Sequence, residues 1–79
     1  MTKYNGHKNW NHWNVSLWIN NDETLYNIAC NYVHSPTRTK DQAAAGMLAD
    51  LRRHGATKTP DGAPYSVSAI RAAMVGMTS

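Results

Sequence analysis

The stretch NWNHWNVSLWINND, residues 9–22, decides the fold because it holds all three tryptophans of the 79-residue chain. From Trp10, apolar side chains recur at i+3, i+7 and i+8, which is the spacing of one broad stripe along an α-helix. Apolar residues also stand at every second position from Trp13 to Ile19, which is the spacing of a strand. We favour a helix with Asn9 as its N-cap, because the run is about twelve residues long and lacks Gly and Pro.

A helix of this composition is expected to be mostly buried. A chain of this length buries only about 60% of its unfolded surface, so bulky side chains matter for its core. The sequence has three Trp, four Tyr and no Phe, and we expect the tryptophans to fill the interior. The alternative is a partly exposed Trp at a binding surface, where this residue type is enriched. Asn14 lies within the apolar face and would need hydrogen-bond partners there.

A second helix is predicted over residues 21–33. Asn20 and Glu23 stand in the relation of N-cap to N3, which predicts a capping box at its start. Ser35-Pro36 ends this helix, because the residue before Pro is disfavoured in the α region. Residues recurring at i, i+3, i+4, i+7 and i+8 form its core face: Leu25, Ile28, Ala29, Tyr32 and Val33.

Two more helices follow. The third covers about residues 40–54, with basic residues in its last turn and Gly55 as the residue after its C-cap. Gly46 weakens it by about 1 kcal/mol relative to Ala, and its small size is expected to mark close packing by a tryptophan. The fourth begins at Ser66 as N-cap, and one face carries its apolar residues: Val67, Ile70, Ala73, Met74 and Met77.

Two turn signals punctuate the chain. Asn5-Gly6 marks a turn in the polar entry segment, and TPDG at residues 59–62 has the signature of a type I turn. Segments 57–59 and 63–66 could pair around it as a hairpin of one or two rungs, since Pro64 removes a donor. The predicted fold is therefore mostly α: one small domain, residues 1–79, of about four helices, with a short hairpin as an option.

The basic residues concentrate in the second half. The formal net charge is +3, and residues 37–79 hold six cations against three aspartates. A helix, turn and helix could bring four of the cations to one side, where phosphate is their natural target. The alternative is a solvated helix end that complements its dipole. The predicted binding residues for a partner or nucleic acid are Arg52, Arg53, Lys58 and Arg71.

The remaining motifs argue against catalysis and against a membrane protein. Cys30 is the single cysteine, and the four histidines match no zinc spacing, so we expect no metal and no cofactor. No Gly-rich phosphate loop occurs, and the five carboxylates suggest no catalytic dyad; we expect no enzyme. No apolar run approaches a membrane span and no signal peptide is present, which favours the cytoplasm.

Residues 4–26, YNGHKNWNHWNVSLWINNDETLY, resemble a family of small uncharacterised phage and prophage proteins with a YNG, NWxxWNVxLWI and NDExLY pattern. The TPDG turn also fits that family. The likeness implies an origin in a mobile element and assigns no activity. Small phage proteins of this size include inhibitors of host defence, anti-CRISPR proteins among them.

A second resemblance covers residues 48–74, LADLRRHGATKTPDGAPYSVSAIRAAM. This segment is similar to the helix, TPxG turn and helix in the DNA-binding region of large serine recombinases. The chain departs from that pattern in lacking a recombinase catalytic domain and in placing the acidic Asp61 where a basic residue is common.

Two functions follow as hypotheses. The first is a non-enzymatic phage accessory protein in the bacterial cytoplasm that binds and occludes a host protein or ribonucleoprotein effector, in the manner of an anti-CRISPR protein. The second is a small DNA-binding or regulatory module that uses residues 48–74 on duplex DNA. Neither requires a membrane or a small-molecule substrate, and the sequence leaves the oligomeric state open.

Overall fold

Four α-helices form the described part of the chain, which in this computed structural model comprises residues 9–75 and 77. The helices are α1 (Trp10–Asn21), α2 (Glu23–Val33), α3 (Lys40–Arg53) and α4 (Val67–Met74). The predicted class, mostly α with about four helices, is confirmed, and the tryptophan segment is helix and not strand. The turn signal at Asn5-Gly6 lies outside the described residues.

Side-chain caps that the local sequence provides fix the N-terminal ends of most of the helices. The Asn9 side chain accepts from the His12 N–H at 3.0 Å and Ser66 accepts from the Ala69 N–H at 3.2 Å, as their sequence positions predict. Thr39 adds a cap that sequence reasoning missed, closing a capping box with Gln42 at the start of α3. Because these side chains satisfy backbone donors that a helix leaves unpaired, the N-terminal ends of α1, α3 and α4 follow largely from local sequence.

The junction between α1 and α2 differs from the predicted capping box. Asp22, and not Asn20, is the N-cap of α2, and its carboxylate accepts from the Leu25 N–H at 3.0 Å. Its own N–H donates to the Trp18 carbonyl at 2.9 Å, so this residue also ends α1. Asn20 lies within α1 and donates to the Ser16 carbonyl. The capping carboxylate sits one residue before Glu23, so the box that Asn20 and Glu23 suggested does not form.

Small residues, and not tryptophans, dominate the core. α1 packs on α4, α4 on α3, and α2 on both α1 and α3. The fully buried side chains of greatest volume are Ile19, Met47, Ile70, Met74, Val15 and Asn14. Six buried alanines join them, of which Ala63 lies in the connection between α3 and α4 and five allow the helices to approach closely: Ala29, Ala43, Ala44, Ala69 and Ala73. The expectation that tryptophans fill the interior was wrong, because α1 turns Val15 and Ile19 inward.

The connection from α3 to α4 contains the predicted turn and hairpin. Gly62 adopts φ 96° and its N–H donates to the Thr59 carbonyl at 2.8 Å, which closes the turn. The arms pair through one antiparallel bridge between Lys58 and Pro64. α4 ends at Met74, earlier than the predicted apolar face, although Met77 still packs against the core.

Candidate binding surfaces

The 59–62 turn is fastened to α1 by four side chains, which we call the Asn14–Asp61 network. The Asn14 amide donates to Asp61 Oδ2 at 2.9 Å and its carbonyl oxygen accepts from the Thr59 hydroxyl at 2.6 Å. The Trp18 indole N–H donates to the same Asp61 oxygen at 2.9 Å. Asn14 is 1% exposed and Thr59 4%, so the requirement that a buried Asn14 find partners is met in full.

Asp61 is therefore a structural residue of the turn. The hydrogen bonds from Asn14 and then from Trp18 lower the pKa of its carboxyl, because both donors favour the charged form. This role explains an acidic residue in an otherwise basic segment. It also holds the hairpin, and with it Lys58, in a fixed position relative to α1.

Three of the four predicted binding residues lie at the C-terminal end of α3. Arg52 and Arg53 occupy its last turn, and Lys58 follows in the hairpin. Arg53 donates to Asp50 Oδ1 at 2.8 Å, an exposed i,i+3 pair. Arg52 and Lys58 are exposed and make no ion pair among the described residues. This end of α3 thus offers two exposed cations, with a third held by Asp50.

Arg71 lies elsewhere. Its Nε atom is 2.7 Å from Asp41 Oδ1, in the first turn of α3. Eleven residues of helix separate position 41 from Arg52, a rise of roughly 16 Å. Lys40 also belongs to that first turn. The structure therefore divides the predicted set between two ends of α3 and does not form one cluster of four cations.

A second fastening point, the Tyr32–Asp50 network, joins α2 to α3. The Tyr32 hydroxyl donates to Asp50 Oδ2, and Arg53 binds the other oxygen of the same carboxylate. The Arg38 guanidinium lies 4.9 Å from the Tyr32 ring centroid, within cation–π range. A Cβ at Gly46 would lie 2.6 Å from Tyr32 Cε1. Gly46 therefore accommodates a tyrosine from α2. The prediction that a tryptophan packs against this glycine was wrong.

The outer face of α1 is apolar and open to solvent. Trp10 is 41% exposed and Leu17 39%, and Trp13 is partly exposed. These three residues stand at i, i+3 and i+7, so they lie along one side of the helix. We call them the α1 outer face. The sequence contained this stripe, but apolar residues also lie on the opposite side of α1, so periodicity alone could not tell which side is buried.

Two grooves accompany these surfaces. One of about 400 Å³ lies between α2 and α3, lined by Thr24, Leu25, Ile28, Asp50, Leu51 and His54. Another of about 470 Å³ lies at the start of α3 and includes Arg38, Thr39 and Lys40 in its wall. Across residues 9–75 and 77, no three His, Cys, Asp or Glu side chains converge as metal ligands would. No helix there has the length and apolar character needed to cross a bilayer.

The chain belongs to a protein family of unknown function, DUF7249, whose match spans residues 1–79. No curated protein matches the chain significantly. No solved structure matches it significantly either. The family is thus identified over the full length, and it assigns no function to the chain.

Proposed function

We propose that the protein is a non-enzymatic accessory protein of a phage or another mobile element that binds and occludes a host effector complex in the bacterial cytoplasm. The proposed target is a ribonucleoprotein of host defence, as for an anti-CRISPR protein. The observation that carries the proposal is a pair of exposed cations at the C-terminal end of α3, Arg52 and Lys58, which make no ion pair with any residue that the structure describes. The mobile-element origin comes from the resemblance of residues 4–26.

The geometry suits occlusion because the cations sit on a rigid support. Thr59 follows Lys58 directly and is buried in the Asn14–Asp61 network. Arg52 belongs to the last turn of α3, whose inner face contributes Leu48 and Leu51 to the core. A surface that is already ordered loses little conformational entropy on binding, which favours affinity for an acidic or phosphate-bearing partner.

The test is co-purification with purified CRISPR effector complexes, combined with a target-DNA binding assay for each complex. We expect one complex to lose target binding when the protein is saturating. The double variant Arg52→Ala with Lys58→Ala should weaken inhibition at least tenfold. The control, Lys40→Ala with Arg71→Ala, removes equal charge at the other end of α3 and should inhibit normally. Normal target binding by every complex would refute the proposed function.

A second candidate function is a duplex-DNA-binding module, which the same two cations favour. Its geometry would differ from a helix-turn-helix, in which three or four residues join the helices. Here residues 54–66 separate α3 from α4, and Arg71 lies with Asp41. DNA contact would therefore come from the end of α3 and from the hairpin, and not from α4.

Salt dependence distinguishes this candidate from protein binding. For about three phosphate contacts, counterion release predicts that duplex affinity falls about 40-fold over a fourfold rise in salt. Arg52→Ala should weaken binding to all sequences alike, because a phosphate contact carries no base information. Absence of duplex binding at low salt would eliminate the DNA-binding function and leave the occlusion hypothesis standing.

A further inference from the structure

The α1 outer face is a surface that neither candidate function uses. Trp10 and Leu17 expose about two fifths of their surface, and Trp13 lies between them on the same side. The opposite side of α1 is buried, and Val15 and Ile19 there are 0% exposed and pack against the rest of the core. α1 therefore has two apolar sides, one buried in the core and one exposed, and the exposed side can bind a partner without unfolding the domain.

Charge indicates what that partner is. The sequence of α1, WNHWNVSLWINN, contains no Lys, Arg, Asp or Glu, whereas the chain as a whole carries +3. Two copies that met through α3 or the hairpin would oppose cation to cation. Two copies that meet through α1 avoid this repulsion, because the facing helices are uncharged. An uncharged face also offers nothing to the phosphates of a nucleic acid.

Shape points the same way. In a two-fold arrangement the same patch serves both copies, so residue i of one meets residue j of the other. If the two α1 helices run antiparallel, the exposed Trp10 of each copy lies near Leu17 of the other, with Trp13 at the centre. A large ring against a smaller aliphatic side chain gives complementary packing along the stripe.

Area sets the strength of such an association. The three side chains expose roughly 200 Å² per copy, given that a Trp covers about 250 Å² when fully exposed. Stable interfaces bury about 800 Å² per partner. We propose that the α1 outer face mediates reversible self-association into a two-fold dimer, with a dissociation constant on the order of 10⁻⁴ to 10⁻³ M.

The test is sedimentation equilibrium of the intact protein from about 10 µM to about 2 mM, with the indole N–H signals followed by NMR over the same range. We expect the average mass to rise from monomer towards dimer. The indole signals of Trp10 and Trp13 should shift with concentration. The signal of Trp18 should not, because its N–H is bonded to Asp61 away from the interface. Added salt should leave the association unchanged or strengthen it.

Variants locate the interface. Trp10→Gln with Leu17→Gln replaces exposed side chains with a good helix former and should weaken association at least tenfold while leaving the Trp18 signal in place. Val75→Gln removes a more exposed apolar side chain, beyond α4, and should not weaken association. A monomer at every concentration would overturn the proposal and leave the face for a different protein. Association that survives the double variant, or is lost in Val75→Gln, would overturn it as well.

Discussion

Two carboxylates fasten this domain together, and they do so in different environments. Asp61 accepts from Asn14 and Trp18 and holds the hairpin on α1. Asp50 accepts from Tyr32 and Arg53 and holds α2 on α3. The first network reaches into the core through Asn14 and Thr59, whereas the second lies at a partly exposed edge. A carboxylate that accepts two hydrogen bonds can therefore stabilise the core in one place and join two helices at the surface in another.

The networks also differ in how they respond to pH. Hydrogen bonding to the charged form lowers the pKa of Asp61. The hydrogen bond to Asp50, followed by burial and by the charge of Asp50, raises the pKa of Tyr32. The hairpin contact is thus sensitive to acid and the α2–α3 contact to base. A substitution in one network should leave the other network intact.

Asn14→Ala should produce the largest effect. It leaves the buried Thr59 hydroxyl without its acceptor and removes one of the two donors to Asp61. Buried polar groups that lose their partners cost about 1–3 kcal/mol each, so we expect a loss of about 2–3 kcal/mol in the free energy of unfolding. Urea denaturation measures this loss. Asn21→Ala, an exposed amide on the same helix, should change stability by no more than about 0.5 kcal/mol. Equal losses in the two variants would contradict a core role for the network.

Gly46→Ala tests the other network through packing. The new Cβ would lie 2.6 Å from the Tyr32 ring, and a shift of the ring would strain its bond to Asp50. Overpacking costs about 1–3 kcal/mol and Ala gains about 1 kcal/mol in helix propensity, so we expect a net loss of about 1 kcal/mol. In a Tyr32→Ala background the same change should instead stabilise by about 1 kcal/mol. If the sign does not reverse, the tyrosine does not require the glycine.

Local signals explain how much of this fold the sequence predicts. Asn9, Ser66, Gly55 and the 59–62 turn act over three or four residues, and each was located correctly from the sequence. The apolar face of α2 was likewise confirmed, since Ala29 is buried and the other four residues pack against the core. Where a residue's structural role depends on its immediate neighbours, the sequence is sufficient.

The failures have one physical cause, which is that tertiary contacts choose between equal local options. α1 carries apolar residues on opposite sides, so its packing against α4 and α2 decides that Val15 and Ile19 face inward. Asp22 and Asn20 are both acceptable caps, and Asp22 takes the role. The division of the cations is similar, because Arg71 reaches Asp41 across two helices that are distant in sequence. No periodicity encodes that pairing.

Tyr32→Phe removes the hydroxyl that donates to Asp50 and should lower the free energy of unfolding by about 1 kcal/mol at neutral pH. Its effect should depend on pH. Because the pKa of Tyr32 is raised in the folded state, its contribution to stability is fully present below the pKa of an unfolded tyrosine, about 10. That contribution is lost as the pH rises through the folded-state pKa. The variant should therefore show a shallower loss of stability in base, measured by urea denaturation between pH 8 and 11. An unchanged slope would show that the other tyrosines, such as the buried Tyr65, account for it.

Asp61→Asn should produce the smallest change at neutral pH, because an amide oxygen can still accept from Asn14 and Trp18. The difference should emerge in acid. Because the pKa of Asp61 is lowered in the folded state, Asp61 stabilises the protein at pH values above the pKa of an unfolded aspartate, about 3.9. This stabilisation is lost as the pH falls through the folded-state pKa. Asn cannot titrate, so the loss of stability in acid should become shallower, followed by the NMR signal of the Trp18 indole N–H that bonds Asp61. Asp41→Asn, which removes a carboxylate outside the network, should leave the acid transition of that signal unchanged. If both variants behave alike, the acid sensitivity belongs to the general charge of the chain and not to the bond that holds the hairpin on α1.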